Sequence, residues 1–303
     1  MLSTLVRILT LSTICMLLVS CNEKYSQAPA SSSDSSSRAK SLSGPGGMKW
    51  SSSTIGSNGL NVFLSDEMLA EFDSQDYING LNPAQQMLKA WNNSIDGGAI
   101  FNIESASDEN VIDGTQRTDL LDYNDNIFGI YKHEDWFPDV SRSALAITQF
   151  FGKRVNPDTE NEYLELIHAD IIVNYSGEFT FSTNGKALST YDLQSVILHE
   201  LGHFIGLGHA SYDESSIMVP YLDPGVEKRG LYPYDNITVN ELYDLKSESS
   251  SLALSSDSFI ISAMASKGQK ESVKNEIVQG IIELMASGEC NHYIEGELVH
   301  SHK

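Results

Sequence analysis

Three histidines and one glutamate carry the chemistry of this chain. From residue 199 the order is His199, Glu200, Leu201, Gly202, His203, Phe204, Ile205, Gly206, Leu207, Gly208, His209. Residues four apart share one face of an α-helix, so His199 and His203 project together and can take two corners of a tetrahedral zinc site. The helix must then stop. Gly206 can adopt the positive φ that turns the chain back, Gly208 adds freedom, and His209 can close the triangle as the third nitrogen ligand. A fourth position is left for water, whose pKa falls to about 7 on zinc with three protein ligands. Glu200, adjacent to His199 but rotated on the helix, is placed to take that proton as general base and to pass it to a leaving amine. The five fixed positions would arise by chance in a chain of 303 residues with odds on the order of one in ten thousand. A helix with merely solvated histidines leaves the glycines after His203 unexplained.

The elements around this stretch follow from periodicity. Leu193, Val196, Ile197, Leu201 and Phe204 form one apolar helix face, predicted to start near Ser189 or Thr190, where a hydroxyl can cap, and to end at Gly206. Upstream, 59–64 reads as a strand. Asn82 and Pro83 open a second helix with Met87, Leu88, Trp91 and Ile95 inward. Further strands are predicted at 99–103, 127–131, 143–151, 164–174 and 179–182. Thr238 and Glu241 form a capping box that announces another helix, with Leu242 and Leu245 inward. The expected fold class is α+β: a twisted mixed β-sheet, an active-site helix and a C-terminal helix. Past a Ser-rich break at 247–251, Val273, Ile277, Ile281, Leu284 and Met285 recur at helical spacing and predict a small helical appendage.

The pattern His-Glu-x-x-His-x-x-Gly-x-x-His resembles that of the metzincin zinc endopeptidases. Met218, nine residues after His209, resembles the methionine of that family's turn beneath the metal, and Pro220 two places later is similar to the matrixins, the matrix-metalloproteinase-like branch. Astacins and serralysins have a Tyr there. The resemblance extends over roughly Met48 to Ser247, taking in 169–174, 192–199 and the helix at Thr238. It implies one catalytic zinc ion on His199, His203 and His209, Glu200 as the catalytic base, and Met218 as a structural support. It also implies that Ala144, Leu145 and Ala146 lie on the edge strand that pairs with an extended substrate. Pro220 and Tyr221 would wall the pocket for the residue after the scissile bond, although the family usually has one residue between that Pro and its Tyr. No cysteine lies between Cys21 and Cys290, so the family's pro-segment cysteine has no counterpart. Ile172 stands where a His would bind a second, structural zinc, so that site is not expected. The acidic stretch 122–126 lacks the glycine of a calcium loop and reads as a solvated turn. His133 and His168 read as ordinary strand or loop residues, and His292, His300 and His302 as part of a frayed polar terminus.

Composition bounds the partners and the address. Forty-one acidic residues against nineteen basic ones give a net charge of -22, which argues against a nucleic-acid partner. The apolar run Ile8 to Val19 behind Arg7 is too short for the roughly 20 residues of a spanning helix and reads as a signal peptide, 1–20. Residues 18–21 resemble the bacterial lipobox, which makes Cys21 the lipidation site. Residues 21–47 then form a lipid-anchored Ser-rich tether, 48–247 the metzincin catalytic domain and 248–303 the appendage, dispensable for catalysis unless Cys290 or the terminal histidines reach the zinc as a restraint. The chain is expected in the bacterial cell envelope as a membrane-anchored lipoprotein facing periplasm or exterior, cleaving protein or peptide substrates. Two other functions share the sequence: a non-catalytic zinc-binding surface lipoprotein, and a zinc amidase acting on cell-wall material.

Overall fold

A computed structural model describes residues 47–114, 117–184, 188–210, 213–243, 277–287 and 290–302. In chain order its elements are β1 (Met48–Trp50), α1 (Ser52–Ile55), β2 (Leu60–Asn61), β3 (Phe63–Leu64), α2 (Asp66–Leu69), α3 (Pro83–Ser94), β4 (Phe101–Asn102), β5 (Gly129–His133), β6 (Ala144–Val155), β7 (Tyr163–Asn174), β8 (Phe181–Ser182), β9 (Tyr191–Asp192), α4 (Leu193–Phe204), α5 (Pro233–Leu242), β10 (Ile277–Met285), β11 (Cys290–Ile294) and β12 (Glu297–His302), joined by loops and short 3-10 turns. The class is α+β, as expected. None of the helices is long and apolar enough to cross a membrane among the described residues.

Eight strands make one sheet in the order β12-β11-β10-β6-β7-β5-β3, with β1 also on β7. β1, β3, β5 and β7 run parallel, and β6 runs against β7 from Ala146↔Val173 to Val155↔Tyr163. β6 is buried on both faces over 144–152, so it needs cover on two sides. On one side α3 and α4 supply it, packing Leu88, Trp91, Val196, Ile197, Leu201 and Phe204 against Leu145, Phe150, Ile171 and Val173. The other side has a smaller cluster of Tyr123, Tyr131, Phe137, Ile147, Ile172 and Met285.

Helix α3 begins as its sequence predicts: Asn82 Oδ1 accepts from Gln85 N (2.9 Å), the Gln85 side chain accepts from Asn82 N (3.1 Å), and Pro83 sits at the first position. The other two helix starts differ from expectation. α4 starts after Asp192, not near Ser189 or Thr190, because the Asp192 carboxylate accepts from Ser195 N (2.9 Å) and is itself paired with Arg229. α5 starts at Pro233. Thr238 lies inside it and donates back to Tyr234 O (2.8 Å), so the predicted capping box does not form.

The largest correction is C-terminal. Residues 277–302 are three strands, not a helix, and they lie in the same compact unit (39–303) as the rest of the described chain. Ile277, Ile281 and Leu284 fit helical spacing, yet Val278, Gly280, Ile282 and Leu284 fit alternation, and that set is the one buried. β-branched side chains and the open hydrogen-bonding edge of β6 favour the extended choice. Val273, the Ser-rich break, the leader, Cys21 and the tether lie outside the described residues.

Candidate metal centre and peptide cleft

Helix α4 stops where the sequence requires. Gly206 adopts φ +96°, its N–H donates to His203 O (2.8 Å), and Leu207 N donates to Gly202 O (2.9 Å), the paired bonds that end a helix on a left-handed glycine. A Cβ at Gly206 would lie 1.9 Å from Met48 O, so space as well as φ demands glycine. Two further carbonyls of the last turn are taken by aromatic donors. Trp50 Nε1 donates to Phe204 O (2.7 Å) and the Tyr243 hydroxyl to Ile205 O (2.7 Å). The chain leaves this turn aimed back at the helix and brings His209 beside His203.

The three imidazoles then converge. Nε2–Nε2 distances are 2.9 Å for His199 and His203, 2.9 Å for His203 and His209, and 3.3 Å for His209 and His199, with all three rings buried. Each Nδ1 has a hydrogen-bond partner: the acceptors Ile217 O (2.7 Å) and Leu207 O (2.8 Å) for His199 and His203, and the His292 ring nitrogen Nε2 (2.9 Å) for His209. Protons on the Nδ1 atoms leave three Nε2 lone pairs pointing at one another, an arrangement that repels itself unless a cation lies between them. A tetrahedral zinc with N ligands at about 2.05 Å spaces them about 3.3 Å apart, so the donor set fits that ion. Burial also favours the neutral form of two of the rings, pushing His199 well below the usual imidazole range and His203 down to about 4.

Glu200 projects beside the triad toward β6. Its Oε2 accepts from Thr148 Oγ1 (2.6 Å), while its Oε1 is buried with no protein hydrogen-bond partner, free to meet a water. Burial pushes the carboxyl up to about 8, the Thr148 bond opposes this, and the charge of Glu283 adds to the rise. A dication in the triad would act in the opposite sense.

Met218 is buried against the underside of α4. A Cβ at Gly202 would fall 2.2 Å from Met218 Sδ, so the glycine between Glu200 and His203 is a packing requirement. The turn carrying Met218 hangs on Asp235, whose carboxylate accepts from Ser216 Oγ, Ile217 N (3.2 Å) and Tyr232 N (2.8 Å). Met218 O in turn accepts from Ala210 N (2.8 Å), which ties the third histidine to the same turn.

The predicted substrate residues meet in one cleft, and it is filled. Leu145 and Ala146 do not form an open edge, because β10 pairs along β6. Pro220 O accepts from Met285 N (3.0 Å), and Tyr221 lines a pocket with Ser195, His199, Ile217, Val219, Leu222 and Lys228 that Leu284 enters. His292 is not part of a frayed end: it is buried, against His209. Elsewhere, His133 stacks on Phe137 (centroids 4.4 Å apart), His168 bonds Asp170 (2.6 Å), and Asp122 accepts from Thr118 N and Asp119 N. Asp66, Glu67 and Asp113 form a second, more open acidic group, whose members lie up to 47 positions apart in sequence. Thr148, Trp50, Tyr243, Asp235 and His292 were not singled out by motif. They reach the site from other elements, and only the unusual burial of an Asp and a His marks the last two.

A mixed sheet over helix α4, a convergent histidine triad and a methionine turn beneath it together resemble a metzincin-type site. Residues 129–244 match the family model for the matrixins. Metalloendoproteinase 1 of Glycine max is 40% identical over 63 residues, covering 21% of this chain and 20% of that protein. Metalloendoproteinase 1-MMP and 2-MMP of Arabidopsis thaliana are 44% identical over 59 residues and 46% over 52, covering 20% and 17% of this chain and 16% and 14% of theirs. The chain spans about a fifth or less of these relatives' lengths. Over 129–244 the chain is thus similar to the matrixins.

Proposed function

We propose that the chain is a zinc-dependent endopeptidase. The observation that carries this is the triad itself: three buried imidazoles, each held through Nδ1, converge through Nε2 on a single point, and Glu200, the residue after His199, keeps a buried Oε1 without a hydrogen-bond partner. His199, His203 and His209 would hold one zinc ion, which supplies Lewis-acid activation of water and of the scissile carbonyl. Glu200 receives the proton of the attacking water on Oε1, since Thr148 engages only Oε2, and returns it to the leaving amine. Met218 and Gly202 fix the height of the helix, and Asp235 fixes Ile217 O, which orients His199. Ala146 on one side, with Pro220 and Tyr221 on the other, pairs with residues 284 and 285 of β10, and the same backbone groups, with those of Leu145, would serve an extended peptide in their place. A cleft made of strand edges supports a peptide substrate over another amide.

Two variants test the assignment. Glu200→Gln should keep its zinc and lose about 100- to 10,000-fold in turnover of a peptide library. His203→Ala should lose zinc as well, read by metal analysis. Unimpaired turnover in Glu200→Gln would sink the mechanism. The address proposed with it is the bacterial envelope, through lipid on Cys21, and Cys21→Ser should move the protein from the membrane fraction to the soluble one.

A further inference from the structure

We propose that residues 277–287 are a built-in occupant of the peptide cleft, so that the chain holds its own C-terminal strand where a substrate would lie and is latent until that strand leaves. What the cleft is for rests on the endopeptidase reading; that it is occupied rests on geometry alone.

β10 uses the backbone groups an extended peptide would need. Its register on β6 runs from Ile277↔Lys153 to Leu284↔Ala146, then shifts by a bulge to Met285↔Ala144. A peptide adding to the edge of β6 would pair with those same residues. At its end β10 is held from the other side too, because Met285 N donates to Pro220 O (3.0 Å) and Leu222 N donates to Met285 O (3.0 Å), a parallel bridge opposite Tyr221. The strand is thus clamped between an antiparallel and a parallel partner. Leu284 lines the pocket beside His199 together with Tyr221 and Val219, and the cavity between them is about 10 Å³, too small to hold more than one water. Glu283, one residue earlier, is buried, and its Oε1 accepts from Ser141 N (2.9 Å), which holds β10 to the loop before β6.

The restraint works by filling the cleft, not by ligating the metal. β11 folds back and brings His292 to His209, but on its Nδ1 side, at 2.9 Å, whereas the triad converges through Nε2. His292 acts toward His209 as the carbonyls of Ile217 and Leu207 act toward the other two rings. The latent chain therefore keeps its zinc. That separates it from the restraint considered from sequence, in which Cys290 or a terminal histidine reaches the ion.

The test uses the full chain loaded with zinc. Leu284→Asp puts a charge into the apolar pocket, and Gly280→Leu drives a side chain toward Phe150, whose Cζ would lie 2.1 Å from a Cβ at that position. Hydrogen exchange of β10 and β7 amides, zinc content and cleavage of a quenched peptide library are measured for both. Expected is a cleavage rate about ten-fold or more above wild type, as for a competent state rising from a tenth of the population or less. Faster exchange should be confined to β10 and the residues it pairs with, and zinc should be unchanged. A synthetic peptide of residues 277–287 should then inhibit Leu284→Asp in trans, and the same peptide with Asp at the Leu284 position should not. Released β10 amides with a measurable cleavage rate no higher than that of wild type would overturn the proposal, as would joint loss of zinc and of β7 protection in both variants, which would make β10 a permanent strand of the core. Released β10, retained zinc and rebinding of the 277–287 peptide without cleavage by any form would uphold occupancy and end the endopeptidase reading instead.

Discussion

Helix α4 with its terminal turn and the β6–β10 ladder border one cleft and are held in opposite ways. The helix is fixed by side chains bonding to particular backbone atoms: Asp192 at its start, Trp50 and Tyr243 at its end, Ile217 O on His199. The ladder is fixed by backbone groups that every residue carries, with register set by burial of Val278, Ile282 and Leu284. A histidine cannot be exchanged in the first without losing a specific bond. One peptide can replace another in the second with almost the same bonding. On the proposed function, a site that admits many sequences and holds one ion in one geometry needs both kinds of wall.

Breaking the helix side should give the larger effect. Gly206→Ala imposes a Cβ on a residue at φ +96° and drives it into Met48 O, so the turn must reopen or β1 must move. A loss of about 3–4 kcal/mol is expected in denaturant unfolding, together with weaker zinc retention because His209 is carried by this turn. Unchanged stability and zinc uptake would show that α4 does not need its terminal turn to place His209. Next is Asp235→Ala, which strips the carboxylate from Ile217 N, Tyr232 N and Ser216 Oγ in a buried place. About 2–3 kcal/mol should be lost. Exchange of the β6 amides facing β10 should stay as in wild type if the two walls are independent, and a common loss of protection would merge them.

The same contrast explains what could be read from sequence. His199, Glu200, His203 and His209 span eleven positions, and helical periodicity and glycine chemistry are enough to bring them together. Met218 and the Asn82 cap are likewise local signals. Thr148 and Asp235 act on residues 52 and 18 or 19 positions away, through single bonds that no period announces. His292 meets a partner 83 positions distant. For 277–285, helix and strand templates both match the apolar spacing. The decision comes from β6, whose edge is invisible until the sheet is built. A terminus that looked polar and loose is therefore buried at His292.

The smallest effect is expected where local reading put a cap in the wrong place. If Thr238 capped a helix, replacing it by Ala would cost about 1 kcal/mol. In the structure α5 has already run from Pro233, its first turn carries Asp235, and the Thr238 hydroxyl points back to Tyr234 O (2.8 Å) rather than forward to a free N–H. That back-bond does not satisfy an orphan donor, because Tyr234 O belongs to the interior of the helix, and a β-branched residue there has lower helix propensity than Ala. Thr238→Ala should thus change stability by no more than about 0.5 kcal/mol, with the sign leaning to stabilisation. Asp235→Ala in the same helix supplies the scale, and equal losses in the two would place the start of α5 at Thr238 after all, leaving the methionine turn without the anchor described here.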